Sequence, residues 1–168
     1  MRLHSPLKIL LLLIAFFYIT DLVGQSATIT ANGNWSKRAK GYKIPEAGND
    51  FPDTFISKAN RTLIRVRKKP TSILFPWRVD VKATITTVWD SRLVLWVRRT
   101  GAGNNITSGA TISDGVTYRE ITNTDQPFFY GEGSIKRIPI QYKITGVTVL
   151  VPAGVWYTKT VTYTVIEL

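Results

Sequence analysis

The chain has 168 residues, with 22 Lys and Arg against 11 Asp and Glu, a formal net charge of +11, five tryptophans, one histidine and no cysteine. The lack of cysteine excludes disulfides, thiolate metal sites and cysteine nucleophiles together, so stability must come from a packed core, which a chain of this length can bury as one domain. So positive a balance attracts polyanions over long range, with an attraction that salt weakens.

Arg2 and Lys8 precede an uninterrupted apolar run at 9–19, and small Gly24 follows where a signal peptidase cuts. Residues 1–24 therefore read as a cleavable secretory signal peptide and 25–168 as the mature domain. The run is shorter than the roughly 20 residues of a bilayer span, so no transmembrane segment is expected once the leader is removed. Export directs the protein to the periplasm, the cell surface or the medium.

Beyond the leader, apolar residues recur at a period of two, and no stretch keeps the three-four spacing of an amphipathic helix. A first strand is expected at 27–31, with Ala27, Ile29 and Ala31 on one side. An irregular connection over 32–53 carries the cluster Lys37, Arg38, Lys40 and Lys43. Strands follow at 62–67 and 72–75. Over 77–86, Val79, Val81, Ala83 and Ile85 face a core while Arg78, Asp80, Lys82 and Thr84 face away. Leu93, Leu95 and Val97 likewise oppose Arg92, Val94, Trp96 and Arg98. A polar loop spans 101–109, Asp114-Gly115 reads as a tight turn, and 116–121 as another strand. Ile138, Ile140, Tyr142 and Ile144 then oppose Arg137, Pro139, Gln141 and Lys143.

The chain ends in what reads as a hairpin, with 147–151 joined through Pro152-Ala153-Gly154 to a long β-branched strand. There Val155, Tyr157, Val161, Tyr163 and Val165 alternate with Trp156, Thr158, Thr160, Thr162 and Thr164, and Lys159 interrupts the inward side. Seven to nine short strands of this kind describe an all-β antiparallel sandwich, with a closed barrel as the alternative.

The lone histidine, His4, falls in the leader, so 25–168 holds neither imidazole nor thiol. That removes Ser-His-Asp and Cys-His nucleophile systems and zincin-type metal sites. No Gly-rich phosphate loop leads into a helix, and no cofactor is expected. A glycosidase needs only two carboxylates, but Asp80, Asp90, Asp114, Glu120, Asp125 and Glu132 are scattered over turns and outward strand positions. A carboxylate-dependent glycosidase is therefore a third reading behind two non-catalytic ones. Glu46, Asn49, Asp50 and Asp53 match no EF-hand spacing and read as a solvated turn rather than a metal site.

The basic residues come in groups. Arg65, Arg67, Lys68 and Lys69 end one strand, Arg78 and Lys82 point out from the next, Arg92, Arg98 and Arg99 flank a third, and Lys136, Arg137 and Lys143 lie on a fourth. Aligned across a sheet they would form a positive face, and Trp96 and Trp156, on outward phases, would add rings on which a sugar can lie. Export favours an acidic polysaccharide as the partner, and no specific nucleic acid is expected.

The run Val151-Pro152-Ala153-Gly154-Val155-Trp156-Tyr157-Thr158-Lys159-Thr160-Val161-Thr162-Tyr163-Thr164-Val165 resembles the Pro-Ala-Gly-x-Tyr-x-x-x-Val-x-Tyr/Val-x-Val ending of the spore coat protein U and chaperone-usher pilin-like superfamily. Members are exported immunoglobulin-like subunits, many of them assembled into surface fibres by donating an N-terminal strand to the next subunit's groove. The resemblance implies an immunoglobulin-like sandwich and a non-catalytic structural or adhesive role. It also implies partners among other envelope or surface proteins, including copies of the chain itself, with Ala27, Ile29 and Ala31 in a donor or edge strand. The chain departs from the superfamily in lacking the usual early cysteine pair and in the shortness of its apolar N-terminal extension.

Overall fold

The computed structural model describes residues 26–37, 53–152 and 155–168. The expected leader, most of the irregular connection with its Arg38, Lys40 and Lys43, and Ala153-Gly154 lie outside the described residues. Among the described residues there is no helix, and hence none long and apolar enough to cross a membrane.

The strands in chain order are β1 (Thr28–Asn32), β2 (Phe55–Ile56), β3 (Thr62–Arg67), β4 (Pro76–Ile85), β5 (Val94–Arg99), β6 (Asn104–Asn105), β7 (Thr111–Ser113), β8 (Arg119–Glu120), β9 (Gln126–Glu132), β10 (Ile135–Thr145) and β11 (Lys159–Glu167). They form a β-sandwich of two antiparallel sheets rather than a closed barrel. The larger sheet runs β1-β3-β10-β5-β8, with β2 and β6 also paired to β10, and the smaller runs β11-β4-β9-β7. The described strands outnumber the seven to nine expected, because pairs as short as two residues complete the ladder around β10.

The period-two pattern builds the core as expected. Ile64 and Val66 of β3, Val79 and Val81 of β4, Leu95 and Val97 of β5, and Ile138 and Ile140 of β10 all turn into one buried cluster. Trp77 is fully buried with its ring edge-on to Phe129, centroids 6.0 Å apart, and its Nε1 donates to the carbonyl of Gly133 at 2.7 Å. The sheets are also joined by a buried hydroxyl chain. The Tyr142 and Tyr163 hydroxyls lie 2.9 Å apart, and Tyr142 donates to Thr62 Oγ1 at 3.1 Å. Burial pushes both tyrosines above their ordinary pKa, Tyr163 further than Tyr142.

Two bulges break the alternation. In β9, Phe129 opposes Val79 while Pro127 opposes Asp80, so Phe128 is the extra residue and two successive phenylalanines enter the core. In β10 the register shifts between Ile135 and Ile138, with Arg137 at φ 58, so that two isoleucines three positions apart both face inward. At Asp114-Gly115, where a tight turn is expected, the chain bends with φ of 61 and 71, a left-handed pair that Asp and Gly tolerate better than most residues.

Several expectations are corrected. Residues 147–151 form turns rather than a strand, and β11 pairs with β4 in the other sheet, so the C-terminal segment is a crossover between sheets and not a hairpin. Residues 72–75 are turn and coil, and only Arg119–Glu120 of the stretch 116–121 is strand. Ile85 projects into solvent because β4 ends there, past the edge of the core. Lys159, out of place on an inward phase, lays its ammonium over the Trp89 ring, 4.4 Å from the centroid. Burial lowers its pKa, opposed by the charge of Glu120.

The N-terminal strand completes the larger sheet of its own chain. β1 pairs along β3 from Thr28 opposite Arg67 to Asn32 opposite Leu63, with Ile29 and Ala27 packed against the core and Ala31 exposed. Its start is tied to the end of β11, where Glu167 accepts from the Ala27 amide at 2.6 Å and pairs with Lys68.

Candidate functional site

Alternation decides which side chains the larger sheet turns outward. Arg65 and Arg67 of β3 stand out between the buried Ile64 and Val66, and Trp96 and Arg98 of β5 between the buried Leu95, Val97 and Arg99. The β10 bulge adds exposed Lys136 and Arg137 opposite the stretch of β3 that holds Arg65, and Lys143 lies directly across from Trp96.

Register brings three of these groups together with Tyr118 into an alternating ladder of cations and rings. The Arg98 guanidinium lies 4.7 Å from the Tyr118 ring centroid. The Lys143 ammonium lies 4.5 Å from that same ring and 4.7 Å from the ring of Trp96. Beneath them Gln141, buried under the cluster, fixes the geometry. Its Oε1 accepts from Arg98 Nε at 2.8 Å and from the Tyr118 hydroxyl at 3.0 Å, while its Nε2 donates to the Ser57 carbonyl at 2.8 Å. Trp96 Nε1 is held by Thr145 Oγ1 at 2.9 Å.

Ring faces attract these cations without cancelling their charge, as a carboxylate would. Among the described residues, Arg65, Arg98, Lys136, Arg137 and Lys143 have no ion-pair partner, and Arg67 keeps a buried Nε without a hydrogen-bond partner.

The other candidates lie elsewhere. Arg78 and Lys82 are on β4 of the smaller sheet, each neutralised. Arg78 grips Asp80 through Nε at 2.7 Å and Nη2 at 3.1 Å, and Lys82 meets Asp125 at 2.7 Å. The Asp80 hydrogen bond raises the Arg78 pKa. Lys68 is spent on Glu167 and lies over the Phe75 ring, and Lys69 is exposed beyond the end of β3. Trp156 stands in the crossover between β10 and β11, its carbonyl bound by Thr87 Oγ1 at 3.1 Å. Arg99, grouped with the basic residues by sequence, is buried. It donates to the Asp114 carbonyl at 3.0 and 2.7 Å and to that of Gly101 at 2.9 Å, and burial lowers its pKa.

Tyr118 and Gln141 escaped the sequence reading as functional residues, because their roles depend on register across distant strands. Of the carboxylates weighed for hydrolysis, Asp80, Asp90 and Asp125 are each engaged by a cation. Asp53 accepts from the Gly146 amide at 2.9 Å; its companions Glu46, Asn49 and Asp50 lie outside the described residues. Among the described residues, no group of three or more His, Cys, Asp or Glu could hold a metal ion. No family model, curated protein or solved structure matches the chain.

Proposed function

We propose that the chain is an exported, non-catalytic domain of the immunoglobulin-like kind, which adheres to acidic polysaccharide at the envelope or cell surface through the outer face of its larger sheet. The observation that carries this reading is the contrast between the sheets. Among the described residues, the larger presents Arg65, Arg98, Lys136, Arg137 and Lys143 without carboxylate partners, whereas Arg78 and Lys82 of the smaller are each neutralised. Charges held in place but not cancelled attract a polyanion at little cost in side-chain ordering. Trp96 and Tyr118 supply flat rings beside them. Export is supported by the leader-like 1–24, and a non-catalytic role by the lack of His and Cys in 25–168. The test is an immobilised acidic polysaccharide: the protein is retained at low ionic strength and released by rising salt, and passage straight through at low ionic strength refutes the reading.

A subunit role in surface fibres is a second reading, favoured by the resemblance of the C-terminal segment and by how little β1 buries. Only Ile29 of that strand is better than exposed. Removal of residues 25–32 should then abolish multimers in solution, and an unaltered oligomeric state eliminates it.

A further inference from the structure

One end of the sandwich carries an apolar surface that the polysaccharide reading does not use. The connection from β4 to β5 and the described parts of the crossover from β10 to β11 meet there. Thr86 N donates to the Thr158 carbonyl at 3.1 Å, Thr158 N to the Val88 carbonyl at 3.3 Å, and Arg92 Nη1 to the Leu150 carbonyl at 3.2 Å. A parallel bridge joins Val88 to Tyr157. From these clasped turns Ile85, Val88, Leu150, Val155 and Trp156 project into solvent, Leu150 with 69% and Trp156 with 63% of its surface exposed. Apolar side chains grouped at a loop tip on an exported, strongly basic domain mark an interaction surface rather than ordinary exposure.

The backbone chemistry selects the partner. A peptide that adds a strand needs unpaired N–H and C=O groups along an edge, but here Thr86, Val88, Leu150, Val151 and Thr158 spend backbone groups within the turns, and Thr87 Oγ1 binds the Trp156 carbonyl. Val151 N donates to the Thr148 carbonyl at 3.1 Å, and Leu150 N to Thr148 Oγ1 at 3.1 Å. Backbone satisfied from within is what contact with hydrocarbon requires, and an exposed tryptophan suits the boundary between acyl chains and headgroups. Charge points the same way. Lys159 lies opposite Ile85, and the Lys143–Trp96 pair sits near the same ends of β10 and β5. We infer that this end docks onto a lipid bilayer bearing anionic headgroups, inserting Leu150, Val155 and Trp156 while Lys143 and Lys159 meet the headgroups.

Sedimentation with vesicles tests it, using the whole chain from Gln25 onward. The protein pellets with vesicles of phosphatidylcholine mixed with phosphatidylglycerol and far less with phosphatidylcholine alone. Because both side chains are exposed, Leu150→Ser with Trp156→Ser leaves the fold and the retention on acidic polysaccharide unchanged, yet lowers vesicle partitioning by about tenfold or more. Brominated lipid quenches tryptophan fluorescence in the parent and less in Trp156→Phe. Protein left in the supernatant with anionic vesicles, or a double variant that pellets like its parent, overturns the inference. So does a dimer in solution that the double variant breaks without any vesicle binding, because the occupant would then be a second copy.

Discussion

Gly131 lies across from Trp77 in the β4–β9 ladder, and Gly131→Ala offers a direct check on how this core is packed. A Cβ there would stand 2.5 Å from Trp77 Cη2, closer still to Cζ2, and 2.8 Å from the Thr111 carbonyl oxygen. Carbon atoms settle at about 3.5–4.0 Å, so the ring must move by about 1 Å. Trp77 has no room to do so, being fully buried, edge-on to Phe129 and hydrogen-bonded to Gly133. Overpacking costs about 1–3 kcal/mol, and a buried indole N–H stripped of its acceptor about 1–3 kcal/mol more. The expected loss is thus about 2–6 kcal/mol, which at a urea m-value of about 2 kcal/mol/M lowers the unfolding midpoint by about 1–3 M. Urea titration of a double-mutant cycle isolates the cause. With Trp77→Leu in the background, Gly131→Ala should cost clearly less than in the parent, because the obstructing ring has gone and only the approach to the Thr111 carbonyl oxygen is left. A cost as large in that background as in the parent, or a midpoint indistinguishable from the parent's, would refute the packing argument.

Tyr142 and Tyr163 hold their protons more tightly folded than unfolded, through burial first. The stability they carry is therefore whole below the unfolded value of about 10 and declines as pH climbs past it, so the urea midpoint should fall between pH 9 and 11 and fall less in Tyr163→Phe. Glu167 behaves in the opposite sense. Hydrogen bonds from Lys68 and then from the Ala27 amide hold its carboxyl below its usual 4.5, so its contribution is present above that value and lost as pH drops through the lower folded one. Hydrogen exchange at Ile29 should accordingly speed up in acid relative to exchange at Val97, and Glu167→Gln should show the faster exchange already at pH 7.

Much of the larger architecture was legible in the sequence, for a reason visible in particular strands. β3, β4, β5 and β10 each bury one face, and a half-buried strand writes its orientation as alternation. β9 stayed hidden because its bulge sends Phe128 and Phe129 inward in succession, and because Pro127 and Gly131 are residue types depleted in strands. The C-terminal error has a different origin. Pro152-Ala153-Gly154 is a local signal for reversal, but which sheet receives the next strand is decided by the pairing of β11 with β4, which no nearby residue encodes. Arg99 shares its phase with Leu95 and Val97, so its burial was readable, and grouping it by charge with the surface residues obscured that. Trp96, Arg98 and Lys143 could be assigned outward by phase. Their assembly could not, because Gln141 reaches Tyr118 across 23 positions and Arg98 across 43.

The account turns on charge that the larger sheet holds without neutralising it, and paired variants of equal net charge measure this most directly. Arg98→Gln with Lys143→Gln removes two cations from the ring ladder, and Lys82→Gln with Arg92→Gln removes two that face carboxylates. Affinity for an acidic polysaccharide, followed against salt concentration, should fall about tenfold or more in the first pair, with a shallower salt dependence, and stay within about twofold of the parent in the second. Equal losses in the two pairs would mean that net charge alone attracts the polyanion and that the outer face of the larger sheet has no special part in binding it.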